Sequence, residues 1–102
     1  MNNIMNDNED HFDLLRTIHK KPKSSQRELA NELGFSLGKL NYCLKALQEK
    51  GLIKIKNFKK NPKKSNYLYF LTPQGIKEKT NLTLNFMKRK MREYDELKKE
   101  IE

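Results

Sequence analysis

Between residues 9 and 50 apolar side chains return at every third or fourth position, the spacing of helices with one buried face. His11, Leu14, Leu15 and Ile18 make the first such run. It predicts a helix over about 9–20, stopped by Pro22, which disfavours helical backbone at Lys21. Ser25-Gln26-Arg27-Glu28 has the form of a capping box and opens a second helix, about 26–33, that buries Leu29, Ala30 and Leu33. Gly34 ends it, because glycine enters the left-handed conformation freely, and Phe35 bridges the turn. Ser36 caps a third helix that runs to about Lys50 and stops at Gly51. On that helix Leu40, Leu44 and Leu47 fall within about 60° of one another around the axis.

After Gly51 the period drops from 3.6 to two. "LIKIKNF" alternates Ile53 and Ile55 with Lys54 and Lys56, and "NYLYFL" at 66–71 is aromatic and strand-forming, with Tyr67, Tyr69 and Phe70 expected in the core. Between them lies "KKNPKKSN", whose Pro62 cannot join a ladder, so the pair predicts a hairpin with a basic tip. Thr72 as cap and Pro73 at the first helical position open a last helix that continues to Glu102, extending about 40 Å. The expected fold is therefore mainly α with a small β-hairpin wing. Residues 1–8 form a disordered, asparagine-rich N-terminus, 9–72 the compact domain, and 73–102 a long C-terminal helix.

Charge adds a direction. The chain has 102 residues and a net charge of +9, very unevenly spread. Residues 1–15 hold four acids and no Lys or Arg, whereas residues 16–71 hold 14 basic residues against three acidic ones. Such a concentrated field favours a polyanionic partner. No apolar run approaches membrane-spanning length and the start is no signal peptide, so a cytoplasmic protein is expected. The single Cys43 leaves no intrachain disulfide and no cysteine metal cluster, and it reads as a small buried thiol in preference to a redox sensor. His11 and His19 have no companion ligands, so no metal site is expected, and no cofactor. Neither a nucleophile–base pair, a phosphate-cradling glycine loop nor a carboxylate dyad is present, which argues against an enzyme.

Helix, turn, helix, strand, wing, strand is an order that suits duplex DNA, with one helix bracing a second in the major groove. The third helix meets the demands of that geometry. Behind it lies a leucine face; in front lie Gly38, Lys39, Tyr42 and Lys45, with Asn41 at the border. Lys39 can donate to guanine or phosphate; Tyr42 can reach a phosphate or thymine methyl, or pack on the wing. Asn41 either pairs with adenine or faces the second helix, and Gly38 either permits close approach or is a tolerated weak spot. The helix starts at Ser25, Gln26 and Arg27 and at Ser36 offer N–H groups to phosphate. Lys59, Lys60, Lys63 and Lys64 at the hairpin tip would add affinity on the DNA backbone; alternatively they are a solvated loop that guards the hairpin edge.

"SQRELANELGFSLGKLNYCLKALQEKGLIKIKNF" with "YLYFLTPQGIKEK" resembles the winged helix-turn-helix of MarR-type regulators, whose "LT-x-x-G" follows the wing. With "LTLNFMKRKMREYDELKKEIE" added, the chain is similar to the short MarR-family regulators associated with exopolysaccharide (EPS) gene clusters. The likeness spans about residues 11–102 and implies a bacterial DNA-binding transcriptional regulator. Lysines replace the Asp-Arg pair usual in that family's wing. The extra terminal helices that frame an effector pocket in larger members are missing, so a small-molecule effector is not expected.

The last helix carries Leu84, Met87, Met91, Tyr94, Leu97 and Ile101 at near-heptad spacing, interrupted by Lys98. A helix this long with an apolar stripe needs a partner, and a homodimer is the preferred reading over folding back on the first helix. The expected function is a sequence-specific regulator of transcription bound to double-stranded DNA. The alternative is a winged-helix adaptor whose basic face meets an acidic protein.

Overall fold

The computed structural model describes residues 3–57 and 67–102. Its order is α1 (Asn3–Lys20), α2 (Gln26–Leu33), α3 (Leu37–Glu49), β1 (Ile53–Asn57), β2 (Tyr67–Leu71) and α4 (Pro73–Ile101). The architecture is mainly α with one two-stranded hairpin and a long C-terminal helix, as the apolar periodicity predicts. One boundary differs: α1 starts at Asn3, within the stretch expected to be disordered. Asparagine is a weak helix former, but adding a residue to an existing helix gains one backbone hydrogen bond, so α1 propagates beyond its apolar run.

The first three helices close on a single core. Leu14, Leu15 and Ile18 of α1, Leu29 and Ala30 of α2, and Leu40, Cys43, Leu44 and Leu47 of α3 are all buried. Each buried Leu or Ile contributes roughly 1.5–3 kcal/mol relative to exposure. Local signals set the angles between them. Gly34 takes φ 72°, and the Phe35 N–H donates to the Ala30 carbonyl at 2.9 Å, which turns the chain from α2 into α3.

β1 and β2 pair antiparallel, with Ile53 opposite Leu71 and Ile55 opposite Tyr69. The Tyr69 N–H also donates to the Pro22 carbonyl at 3.3 Å, so the α1–α2 loop lies along β2. Tyr69 is buried, as expected, but Phe70 is not: its side chain is 37% exposed. Consecutive strand residues face opposite sides, so Tyr69 and Phe70 cannot both enter the core, and Phe70 instead lies under the Lys56 ammonium.

The junction of hairpin and α4 is the tightest point of the chain. Thr72 caps α4, accepting the Gly75 N–H at 3.0 Å, and its hydroxyl donates to the Gly51 carbonyl at 2.6 Å. The Thr72 N–H donates to the Leu52 carbonyl at 3.0 Å. Gly75 is pressed so closely on Leu52 that a Cβ there would fall on the Leu52 carbonyl oxygen and within 2.9 Å of its carbon. The "LT-x-x-G" spacing thus has a mechanical meaning: a cap and a side-chain-free contact three residues apart fix where α4 departs.

α4 has 29 residues. Its first half lies on α1, with Leu82 against the core and the Phe12 and Phe86 rings 5.7 Å apart. Its second half projects, giving the molecule extents of 62 × 27 × 23 Å. Among the described residues no helix is long and apolar enough to cross a membrane.

Candidate nucleic-acid interface

α3 separates its faces cleanly. Leu40 and Leu47 have no exposed surface, while Tyr42 on the opposite side is 62% exposed. Gly38, Lys39, Asn41 and Lys45 are exposed with it. The structure therefore brings the five α3 candidates to one solvent-facing surface, with Asn41 outside the core and Tyr42 open to solvent. Cys43 belongs to the buried face. At Gly38 an added Cβ would meet only the Ser36 Oγ, 4.0 Å away, so nothing inside the fold requires glycine there.

The two helix starts differ. At α3 the Ser36 hydroxyl accepts the Lys39 N–H at 3.1 Å, and no acid occupies the first turn. At α2 the capping box is complete: the Ser25 hydroxyl accepts the Glu28 N–H at 3.1 Å and the Glu28 carboxylate accepts the Ser25 N–H at 2.8 Å. The capping box expected from Ser25 and Glu28 is thus present, and it places the Glu28 carboxylate in the first turn of α2. The hydrogen bond from the Ser25 backbone, then that from its side chain, holds the Glu28 carboxyl below its ordinary range. Its capping contribution is therefore present above the ordinary glutamate range and is lost as pH falls through the lowered value. Gln26 is half-buried and Arg27 exposed beside it.

Lys39 carries a constraint that the sequence did not reveal. Its Nζ lies 3.0 Å from Oδ2 of Asp10 on α1 and 4.4 Å from the centre of the Phe35 ring. The cation at the front of α3 is thus held by α1 and the α2–α3 turn. Asp10 sits in an acidic patch with Glu9 and Asp13. Burial, then repulsion from Glu9, raises the Asp13 carboxyl above its usual value. Ionisation of Asp13 opposes folding, so the stability it supplies is present at low pH and lost as pH rises through the raised value.

Leu37 also escaped the sequence reading. Its helical angle points toward the leucine face, yet it is 47% exposed, because that face has no neighbour at the first turn of α3. Lys54 and Lys56 are exposed on β1. Lys59, Lys60, Lys63 and Lys64 lie outside the described residues. Leu84, Met87, Met91, Tyr94, Leu97 and Ile101 are 51–87% exposed along α4. Among the described residues no cluster of His, Cys, Asp or Glu could hold a metal ion.

Comparison with known proteins agrees with this geometry. A family model described as winged helix-turn-helix DNA-binding matches residues 8–54, which cover α2, α3 and most of α1. No curated protein matches the chain. Among solved structures the chain is similar to Staphylococcus aureus MarR in complex with salicylate and kanamycin (TM-score 0.69, 23% identity, 84% of this chain and 56% of that one). It is also similar to MepR, a transcription regulator of the S. aureus multidrug efflux pump MepA (TM-score 0.68, 19% identity, 85% of this chain and 63% of that one). Streptococcus pneumoniae FabT in complex with DNA aligns with TM-score 0.63 and 21% identity over 84% of this chain and 58% of that one. The molecule has the winged helix-turn-helix fold that these regulators share, and it spans 56–63% of their length.

Proposed function

We propose that the protein is a transcriptional regulator that binds double-stranded DNA sequence-specifically, as a homodimer in the cytoplasm, with α3 in the major groove. The observation that carries this reading is the division of α3 into a sealed leucine face and an open face that starts small and continues with Lys39, Tyr42 and Lys45. A surface helix with no DNA to meet has no need of an exposed glycine in its first turn, which costs stability without helping the fold. The excess of cations over residues 16–71 and the fold shared with a DNA-bound regulator support the same reading. In this proposal Lys59, Lys60, Lys63 and Lys64 rest on the DNA backbone and add affinity without selecting sequence. The link to exopolysaccharide gene clusters is supported by the likeness carried by "SLGKLNYCLKAL" and "FMKRKMREY".

The test begins by selecting a duplex from a random pool with the full chain. Fluorescence anisotropy then compares the selected duplex with a scrambled one. Lys39→Ala or Tyr42→Ala should cost about 1–3 kcal/mol on the selected duplex and much less on the scrambled one. Replacing Lys63 and Lys64 should weaken both alike. Equal losses on both duplexes for the α3 variants would exclude base reading. No duplex binding at about 50 mM salt, where phosphate attraction is strong, would favour the protein-binding adaptor.

A further inference from the structure

α4 leaves an apolar stripe open, and the charges beside it are ordered by sign. The face of α4 that holds Leu82 and Phe86 against α1 is turned away from the stripe formed by Leu84, Met87, Met91 and Tyr94. The stripe is thus free while α4 is already docked on its own domain. Next to it the charges fall into blocks. Residues 88–92 hold Lys88, Arg89, Lys90 and Arg92 with no acid; residues 93–97 hold Glu93, Asp95 and Glu96 with no base.

We infer that the stripe is covered by α4 of a second copy, running antiparallel, with the two-fold axis between Arg92 and Glu93. The inference rests on the dimer in the proposed function and states how it is built. In this register Leu84 meets Ile101 of the partner subunit and Met91 meets Tyr94 of the partner subunit. Each basic block lies over the other chain's acidic block, and Lys88 on the flank faces Asp95 of the partner subunit. A parallel, in-register pair would instead stack base block on base block. It would also oppose Lys98 to its own copy in the apolar seam, whereas the antiparallel pair separates the two Lys98 residues by about 16 Å along the axis. Antiparallel pairing further sets the two α4 starts about 58 Å apart, several Debye lengths, so the two basic domains do not repel.

Full-length variants with one added cysteine test the register, because Cys43 is buried and does not compete. Oxidation of Leu84→Cys alone or Ile101→Cys alone should give little covalent dimer, and their mixture should give the covalent heterodimer. Self-crosslinking of each variant would show a parallel pair, and no crosslink in any mixture would show no pairing; either overturns the inference. Charge reversal supplies a second readout by sedimentation equilibrium. Lys88→Glu or Asp95→Lys should each weaken dimerisation about five- to tenfold, and the double variant should restore it. Failure of the double variant to recover would also overturn the register. Anisotropy on the selected duplex keeps the two readings apart: parallel crosslinks with intact DNA binding sink the pairing alone, and antiparallel crosslinks without DNA binding sink the regulator alone.

Discussion

In the proposed complex Lys39 would exchange an internal partner for DNA. In the free protein its ammonium is shared between the Asp10 carboxylate at 3.0 Å and the Phe35 ring at 4.4 Å. The pair is open at Lys39, 44% exposed, and more enclosed at Asp10, 15% exposed, so exchanging it for a phosphate or a guanine edge costs on the order of 1 kcal/mol. Asp10 still repels an approaching polyanion, and most strongly when no base contact compensates. Asp10→Asn should therefore strengthen binding to a scrambled duplex about two- to fivefold, and binding to the selected duplex by less. The measurement is anisotropy at fixed salt on both duplexes, and an unchanged scrambled-duplex affinity would show that Asp10 neither repels the duplex nor withholds Lys39 from it. The sequence shows Lys39 plainly as an outward cation on an apolar-backed helix. It does not show Asp10 as its partner, because 29 residues and a core packing event separate them. Leu37 was hidden for the same reason: periodicity gives the angle of a side chain, but not whether a neighbour exists at that height of the helix.

Three of the four helices were legible because each carries its own start signal. Ser25 with Glu28, Ser36, and Thr72 with Pro73 begin three helices, and Gly34 and Gly51 at φ 72° and 75° end two. The α1 start was not legible, because no cap marks it and asparagine propensity points the other way. Phe70 is aromatic and suits a core, but strand alternation beside buried Tyr69 sends it outward. Gly75 stood in a recognisable pattern whose cause only the structure supplies, namely its contact with the Leu52 backbone. Backbone cannot yield as a flexible side chain does, so Gly75→Ala must push the start of α4 away from the α3–β1 turn. It should destabilise the fold by about 1–3 kcal/mol, read from urea or thermal unfolding of the full chain. The same substitution at exposed Gly38, where a methyl group meets nothing closer than 4.0 Å, should leave stability equal or slightly improved.

At the scale of the whole molecule, charge and shape act together. The acids of residues 1–15 and the mixed charges of α4 leave the surplus of cations concentrated over residues 16–71, the part that contains α2, α3 and the hairpin. In the proposed complex each domain would meet the duplex as a compact cationic body, while the second half of α4 reaches away from the core. Phosphate contacts release counterions, so the steepness of salt dependence reports how many such bodies touch the DNA at once. A dimer that engages about 6–10 phosphates should show a log–log slope of about −5 to −9 on its selected duplex. Met91→Glu with Tyr94→Glu places carboxylates in the exposed α4 stripe, far from α3, and should leave the domain folded but monomeric. Its slope should fall to about half that of the parent, with a large loss of affinity for a two-fold site and a small one for a single half-site. Anisotropy titrations between about 50 and 200 mM salt, with sedimentation to confirm the monomer, measure both quantities. An unchanged slope in the monomeric variant would mean that one domain makes all the phosphate contacts and that the second copy is not part of the DNA complex.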